Sequence, residues 1–185
     1  QDYIQLLRDK DLASTRYNDL ARRMQTSSMA TDLENRKQGE MLEILEYLHS
    51  QKPAILHRDF TPDNLILRDD CGLVLIDFNA ATEFLAGATG TIIGKHCYMP
   101  PEQIRGKSEM SSDYYSMGNT IYFLLTGKDP TPLTSIDLIG SGLSVSQKLN
   151  ELVRTMTANE SGNRPTLNEI KQCLIDCTIT NQAVT

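Results

Sequence analysis

The chain centres on the stretch His57-Arg58-Asp59-Phe60-Thr61-Pro62-Asp63-Asn64, which runs directly into the apolar residues Leu65-Ile66-Leu67. Its eight positions carry one imidazole, one guanidinium, two carboxylates and one amide. A regular helix cannot cross them, because Pro62 lacks a backbone N–H and its ring clashes with the preceding turn. The stretch is therefore predicted to form a rigid loop that holds polar side chains in place.

Regular structure is predicted on both sides of this loop. Upstream, residues 33–50 carry apolar side chains at helical spacing. Downstream, the apolar runs 65–67 and 73–76 flank the turn sequence Asp69-Asp70-Cys71-Gly72, a pattern typical of a β-hairpin. The hairpin would return the chain so that Asp77 arrives close to the loop.

The rest of the chain is predicted to be mostly helical. Residues 80–99 are rich in Gly, Thr and Ala and lack a period, which indicates an extended, mobile segment. A strongly apolar helix begins near Ser112 and ends before Gly127. Two further helices are opened by capping-box spacings, Ser144 with Gln147 and Thr166 with Glu169. The predicted fold class is mainly α with a small β-hairpin.

Length and composition favour one compact domain. The chain has 185 residues, of which 39% are hydrophobic. Its 24 acidic and 18 basic residues give a net charge of −6, which argues against a general nucleic-acid binder. The sequence contains neither a zinc-type CxxC pair nor a recognisable signal or membrane segment, so structural thiols and a cytoplasmic location are expected.

The polar groups around the loop suggest metal-assisted chemistry. Mg²⁺ prefers a few oxygen ligands from the protein and completes its octahedron with water and phosphates. Asn64 and Asp77 offer such oxygens. Asp59 would then remain free to accept a proton from an attacking hydroxyl group or to orient it.

These motifs resemble those of the eukaryotic-type protein kinases, in their bacterial branch. The six matches, in the order of the chain, are His57-Arg58-Asp59 with Asn64, Asp77-Phe78-Asn79, Tyr98-Met99, Pro100-Pro101-Glu102, the helix start at Asp113, and Arg164-Pro165. The resemblance extends over residues 33–177. It implies the C-terminal lobe of a serine/threonine kinase that transfers the γ-phosphoryl group of ATP to protein hydroxyls.

The resemblance also implies roles for individual residues. Asp59 corresponds to the catalytic base, Asn64 and Asp77 to the Mg²⁺ ligands, and Ile66 to the floor under the adenine of ATP.

Four further positions correspond to structural or regulatory residues. His57 and Phe78 would stack on each other, and Asp113 would brace the backbone of the His57-Arg58 turn. Arg164 would pair with Glu102 in a buried salt bridge.

Phosphorylation is a further expectation from the resemblance. An arginine beside the catalytic aspartate is associated in the family with regulation by phosphate, and Arg58 occupies that position. Thr89 and Thr91 lie on the segment that could supply the phosphate. The alternative is that both are ordinary loop threonines.

Two positions depart from the family in a matched way. The lysine expected two residues after the catalytic aspartate is Thr61, and the threonine expected ahead of Tyr98 is Lys95. We hypothesise that Lys95 reaches back to supply the missing cation; the alternative is that Thr61 marks decay and Lys95 is merely exposed. A third departure, Asn79 in place of glycine, is milder because asparagine tolerates a left-handed backbone.

The motifs of the family's N-terminal lobe are missing from this sequence. Nothing in residues 1–56 resembles the Gly-rich loop, the strand lysine or its glutamate partner. Residues 1–185 are therefore interpreted as the C-terminal lobe, with residues 1–32 as a helix and loop region that leads into it and includes an amphipathic helix over residues 1–10. Without the partner lobe the chain would expose apolar surface and turn over poorly.

Two other functional classes remain open from the sequence. Small-molecule phosphotransferases of the aminoglycoside type share the HxDxxxxN loop and a following metal aspartate, although Arg58, Glu102 and Arg164 favour a protein kinase. A pseudokinase or docking module is favoured by Thr61, Asn79 and the missing N-terminal lobe, but it does not explain why Asp59, Asn64 and Asp77 are all retained.

Overall fold

The computed structural model describes residues 29–68, 72–83 and 95–182. Its helices are α1 (Met29–His49), α2 (Pro101–Ile104), α3 (Met110–Thr126), α4 (Gln147–Met156) and α5 (Leu167–Gln182). Its strands are β1 (Ile55–Leu56), β2 (Leu65–Leu67), β3 (Leu73–Leu75) and β4 (Thr82–Glu83). These helices and strands confirm the prediction of a mainly α fold with a small hairpin. The amphipathic helix predicted over residues 1–10 and most of the 80–99 segment lie outside the described residues.

The predicted hairpin is formed by β2 and β3. They pair antiparallel with Leu65 opposite Leu75 and Ile66 opposite Val74. Successive side chains of a strand point to opposite faces, so Leu65 and Leu75 are buried in the core while Ile66 is exposed. A second antiparallel pair, β1 with β4, was not predicted, because strands of two residues are too short to show a period.

The central element of the fold is α3. Every residue from 112 to 121 is buried, so this helix is enclosed on all sides and its polar residues, such as Asp113 and Asn119, are buried together with the apolar ones. It ends where predicted, because Gly127 takes a left-handed conformation (φ 66°) and donates its N–H to the Phe123 carbonyl. Gly118 lets α3 approach α4 closely, since a Cβ there would lie 2.9 Å from Thr157 and 3.1 Å from Met156.

The helices α1 and α4 pack against α3, and α5 packs against α1 and α4 to close the core. The buried side chains of α1 include Gln38, Met41, Leu42, Leu45 and Leu48, those of α4 include Leu152, Val153 and Met156, and those of α5 include Ile170 and Leu174. Cys97 and Cys173, the cysteines whose side chains are described, form no disulfide. No helix among the described residues is long and apolar enough to cross a membrane.

One of the two predicted capping boxes is wrong. The N-cap of α4 is Ser146, whose hydroxyl accepts the Leu149 N–H, and not Ser144. A serine directly before the first helical residue is better placed for this bond than one two positions earlier. At α5 the predicted box is confirmed: the Glu169 carboxylate accepts the Thr166 N–H at 2.7 Å, and the Thr166 hydroxyl accepts the Glu169 N–H.

Candidate active site

The loop at residues 57–64 turns through a left-handed residue. Arg58 has a φ of 65°, a conformation that costs a residue other than glycine about 1–3 kcal/mol. The Asp113 carboxylate accepts the backbone N–H groups of His57 at 3.0 Å and Arg58 at 2.8 Å. The Gln103 side-chain amide donates to the Arg58 carbonyl at 2.6 Å. The brace expected from Asp113 is thus present, and it holds the backbone immediately before Asp59.

The bracing carboxylate is itself supported by a histidine. Asp113 is completely buried, and its Oδ2 lies 2.9 Å from Nε2 of His49 at the end of α1. Nδ1 of the same ring lies 3.3 Å from the Tyr114 hydroxyl. These partners offset the cost of burying a carboxylate. Sequence reasoning missed His49, since a histidine that closes an apolar helix belongs to none of the motifs used.

His57 is enclosed by aromatic rings. Its ring centroid lies 5.0 Å from that of Phe78 with an interplanar angle of 80°, and 6.3 Å from that of Phe60. The expected contact between His57 and Phe78 is therefore present as an edge-to-face contact and not as a stack. Burial lowers the pKa of the His57 imidazole below its usual value, although the nearby Asp113 carboxylate opposes the shift. The ring is accordingly neutral at neutral pH.

The Asp59 carboxylate is held in place by donors on both of its oxygens. The Asn64 side-chain amide donates to Oδ2 at 2.9 Å and also to the Asp59 carbonyl at 2.8 Å. The backbone N–H of Lys95 donates to Oδ1 at 3.2 Å. Asp59 is only partly buried, so its carboxylate is oriented by the protein and still reachable from solvent.

A backbone hydrogen bond places the end of the hairpin, just before Asp77, beside Asn64. The Ile76 N–H donates to the Asn64 carbonyl at 2.8 Å, and Asp77 follows in the chain. Because the Asn64 amide nitrogen is engaged with Asp59, its side-chain oxygen Oδ1 is left to face a cation. Asp77 is exposed, and one of its carboxylate oxygens accepts the Asn79 N–H.

This donor set fits Mg²⁺. Among the described residues no group of three or more His, Cys, Asp or Glu side chains could hold a metal ion. Mg²⁺ does not need one, since it commonly takes one or two protein oxygens and obtains the others from water and substrate phosphates. The amide oxygen of Asn64 and the carboxylate of Asp77, the residue after the Ile76 that bonds the Asn64 backbone, match that requirement.

The left-handed residue of this segment is Asp77, not Asn79. Asp77 has a φ of 61°, whereas Asn79 lies inside a short 3₁₀ turn that spans Phe78–Ala80. The explanation offered for Asn79 from the sequence is therefore wrong: its position does not require a left-handed backbone. Asparagine is tolerated here because a 3₁₀ turn imposes no positive φ.

Lys95 lies beside the loop, but its ammonium group pairs with carboxylates other than that of Asp59. Nζ lies 3.3 Å from Asp63 Oδ2 and 3.5 Å from Asp129 Oδ1, and its side chain is 42% exposed. Burial acts to lower the pKa of Lys95, but the Asp63 and Asp129 carboxylates outweigh it and leave the pKa above its usual value. Thr61 is buried within the same loop. The structure thus brings Lys95 beside Asp59 through its backbone, while its charge is directed to Asp63 and Asp129.

An apolar patch lies beside the loop. Ile66, Ile76 and Phe78 are 40%, 36% and 47% exposed. Ile66 is on the outer face of β2, Ile76 follows β3, and Phe78 begins the next turn. Large apolar side chains seldom cluster on a free surface without a function, so the patch indicates a surface that another group covers.

A buried ion pair anchors α2. The Arg164 guanidinium binds both carboxylate oxygens of Glu102, at 2.6 and 2.9 Å, and the Arg164 side chain has no exposed surface. The Ser112 hydroxyl donates to the same carboxylate at 2.7 Å, and the guanidinium lies 4.9 Å from the centroid of the Tyr115 ring. The pair expected from the resemblance is present in bidentate form, which is the strongest geometry for such a pair.

The Arg58 side chain is also held within the site. It is 7% exposed, and its Nε donates to the Ala80 carbonyl at 2.6 Å. This bond ties the loop to the 3₁₀ turn after Asp77. Thr89 and Thr91, the candidate phosphorylation sites, lie outside the described residues.

Comparison with known proteins gives consistent matches. A family model described as a protein kinase domain matches residues 12–174. The chain is 45% identical over 102 residues to the serine/threonine-protein kinase PknA of a Nostoc species, an alignment that covers 50% of this chain and 18% of the relative. It is 37% identical over 134 residues to serine/threonine-protein kinase B of Synechocystis, covering 63% and 23% of the two chains. It is 35% identical over 129 residues to serine/threonine-protein kinase PknL of Mycobacterium tuberculosis, covering 67% and 31%.

In all three alignments the matched region is less than a third of the relative's own length.

Proposed function

Because the chain belongs to the protein kinase family, we propose that residues 1–185 form the C-terminal lobe of a serine/threonine kinase that phosphorylates protein hydroxyls. The observation that carries this proposal is the position of the Asp59 carboxylate. Its two oxygens accept hydrogen bonds from the Asn64 side-chain amide and the Lys95 backbone N–H, and Asp113 braces the turn before it. An aspartate held this firmly, yet reachable from solvent, suits a group that must meet an incoming hydroxyl.

In this proposal Asp59 accepts the hydrogen bond of the substrate hydroxyl and orients it toward the phosphoryl group. The Asn64 amide and the Lys95 N–H prevent the carboxylate from rotating away. Preorganisation of this kind lowers the barrier because no reorientation is needed during the reaction. His57 is neutral and contributes packing instead of charge.

ATP and Mg²⁺ are the cofactors of the proposal. Asn64 Oδ1 and the Asp77 carboxylate would hold Mg²⁺, and Ile66 would lie under the adenine. Bound Mg²⁺ neutralises charge on the phosphate oxygens of ATP. The exposed apolar patch of Ile66, Ile76 and Phe78 favours the proposal that a nucleotide and a further lobe cover this surface. Since residues 1–56 lack the family's Gly-rich loop and strand lysine, that lobe would come from another part of the protein, and the chain alone would transfer phosphate slowly.

Lys95 is proposed to supply the cation that position 61 lacks. Its backbone is already bonded to Asp59, and its ammonium group lies on Asp63, two positions after Thr61. Rotation of a flexible, partly exposed side chain would bring the charge from the Asp63 and Asp129 carboxylates toward a phosphoryl group bound beside Asp59.

Lys95→Met is expected to lower the turnover number of the full-length protein about 10²-fold, because a positive charge near the transferring group is lost. Initial rates at saturating ATP measure the effect. Lys128→Met, which removes an exposed lysine next to Asp129, is the matched control and should leave the rate within about twofold of wild type. Unchanged turnover for Lys95→Met would remove Lys95 from the mechanism.

Thr89 and Thr91 are proposed phosphorylation sites. After incubation of the full-length protein with ATP and Mg²⁺, mass spectrometry is expected to find phosphate on at least one of them, because a phosphate there could pair with cations near the loop. The Asp59→Asn variant should remain unmodified, which distinguishes self-phosphorylation from modification during expression. An unmodified segment in an active preparation would contradict the assignment.

A transfer assay tests the proposed function as a whole. The full-length protein is incubated with γ-labelled ATP and, in parallel reactions, a generic protein substrate or an aminoglycoside, and acid hydrolysis of the protein identifies the labelled residue. Labelled phosphoserine or phosphothreonine supports the proposal. Labelled aminoglycoside without labelled protein would indicate a small-molecule phosphotransferase. Nucleotide binding without any transfer would indicate a pseudokinase.

A further inference from the structure

The backbone of Arg58 is held at both of its peptide groups by buried side chains of two different helices. On one side, Asp113 of α3 accepts the Arg58 N–H at 2.8 Å. On the other, Gln103 of α2 donates its amide N–H to the Arg58 carbonyl at 2.6 Å. Gln103 is 1% exposed and Asp113 is completely buried. None of the sequence motifs pointed to Gln103.

These two bonds determine both backbone dihedral angles of Arg58. The bond to the N–H restrains the peptide before its Cα, and the bond to the carbonyl restrains the peptide after it. Arg58 needs such restraint, because its left-handed φ of 65° is unfavourable for a residue with a Cβ. The carbonyl held by Gln103 shares its peptide plane with the Asp59 nitrogen. The Gln103 bond therefore restrains the backbone position from which the Asp59 side chain extends.

Gln103 is itself held rigidly. It lies in the single turn of α2, and its backbone N–H donates to the Pro100 carbonyl at 3.1 Å. The preceding residue, Glu102, is locked by Arg164 and by the Ser112 hydroxyl. The buried ion pair thus holds the turn of α2 in place, and the Gln103 side chain links that turn to the loop at residues 57–64.

We infer that Gln103 is a positioning residue for Asp59: its amide holds the Arg58 carbonyl and thereby keeps the Asp59 carboxylate in its reactive orientation. This inference rests on the proposed function, since it assigns Gln103 a role in phosphoryl transfer. Gln103 does not itself touch the substrate. It links the segment that begins at Pro100 to the loop that carries the reacting carboxylate.

The test is a double-mutant comparison in the full-length protein. Gln103→Met keeps the length of the side chain and removes the donor. It is expected to lower kcat about 10-fold, because small displacements of a reacting group cost one to two orders of magnitude, while the KM for ATP changes less than about twofold. Gln147→Met, an exposed glutamine at the start of α4, is the matched control and should behave as wild type.

The decisive measurement is the same substitution in an Asp59→Asn background. If Gln103 acts through Asp59, Gln103→Met should cost little further activity once that carboxylate is gone, because effects within one functional unit are not additive. An equal loss in both backgrounds, or an unchanged kcat in the single variant, overturns the inference. If Gln103→Met does not fold, Gln103→Asn keeps the amide but shortens its reach, and the same comparison applies. A failure of the proposed function is recognised separately, since Asp59→Asn alone would then leave the rate unchanged.

Discussion

Replacing Asp59 by asparagine is expected to lower phosphoryl transfer by the full-length protein about 10²–10⁴-fold, the range that a general acid or base contributes. The substitution keeps the size of the side chain but removes its ability to accept a proton. It also disturbs the site, because both carboxylate oxygens accept hydrogen bonds from Asn64 and Lys95. An asparagine can satisfy only one of these donors with its oxygen and must turn its NH₂ group toward the other.

Initial rates at saturating ATP and protein substrate measure this loss, and nucleotide affinity is measured in parallel. The affinity should change little, since Asp59 is not one of the proposed Mg²⁺ ligands. Asp176→Asn is the matched control: it removes a carboxylate from α5 that pairs with Lys148 at the surface. A variant Asp59→Asn with turnover close to that of the wild type would exclude Asp59 as the reacting carboxylate and would reopen the docking interpretation.

Arg164→Ala is expected to lower the free energy of unfolding of the chain by about 3–5 kcal/mol, because it leaves the Glu102 carboxylate buried without its cation. The Arg164 side chain has no exposed surface and binds both oxygens of Glu102. It also donates to the Ala158 carbonyl at 2.9 Å and packs on the Tyr115 ring. Several interactions of one buried group are therefore lost together.

Urea denaturation followed by circular dichroism measures the loss of stability. Arg154→Ala is the matched control, because Arg154 pairs with Glu151 on the exposed surface of α4, where water screens the charges. The double variant Arg164→Ala with Glu102→Ala should cost less than the sum of the single changes, since neither charge is left unpaired. Near-wild-type unfolding of Arg164→Ala together with lost activity would contradict a mainly structural role.

Much of the candidate site could be predicted from the sequence, because its residues come from short motifs in a fixed order. Asp59 and Asn64 are five positions apart in one loop, and the hairpin that brings Asp77 to them is encoded by two apolar runs around a turn. The end of α3 at Gly127 and the capping box at Thr166 depend on neighbouring residues only. Interactions between residues that are close in the chain leave a recognisable pattern in the sequence. The predictions of the hairpin, of the end of α3 and of the capping box at Thr166 are therefore confirmed.

Two of the errors are local, and one omission is a contact between residues far apart in the chain. Ser144 has the right spacing for a capping box, but Ser146 takes the position because it lies directly before the helix. Asn79 was assigned a left-handed backbone that Asp77 adopts instead. The ammonium group of Lys95 lies near Asp129, a carboxylate from the loop after α3 that no motif contains.

Local sequence patterns are enough to predict the mainly α class, the hairpin, and which residues gather in the loop at 57–64. How that loop is held depends instead on contacts between distant parts of the folded chain. Asp113 and Gln103 bond the Arg58 backbone from 55 and 45 positions away, and His49 supports Asp113 from 64 positions away. Bonds of this kind depend on how helices pack in three dimensions, and their energy is gained only once the core has formed. A left-handed Arg58 is stable for that reason: the packed helices supply the hydrogen bonds that offset its local strain.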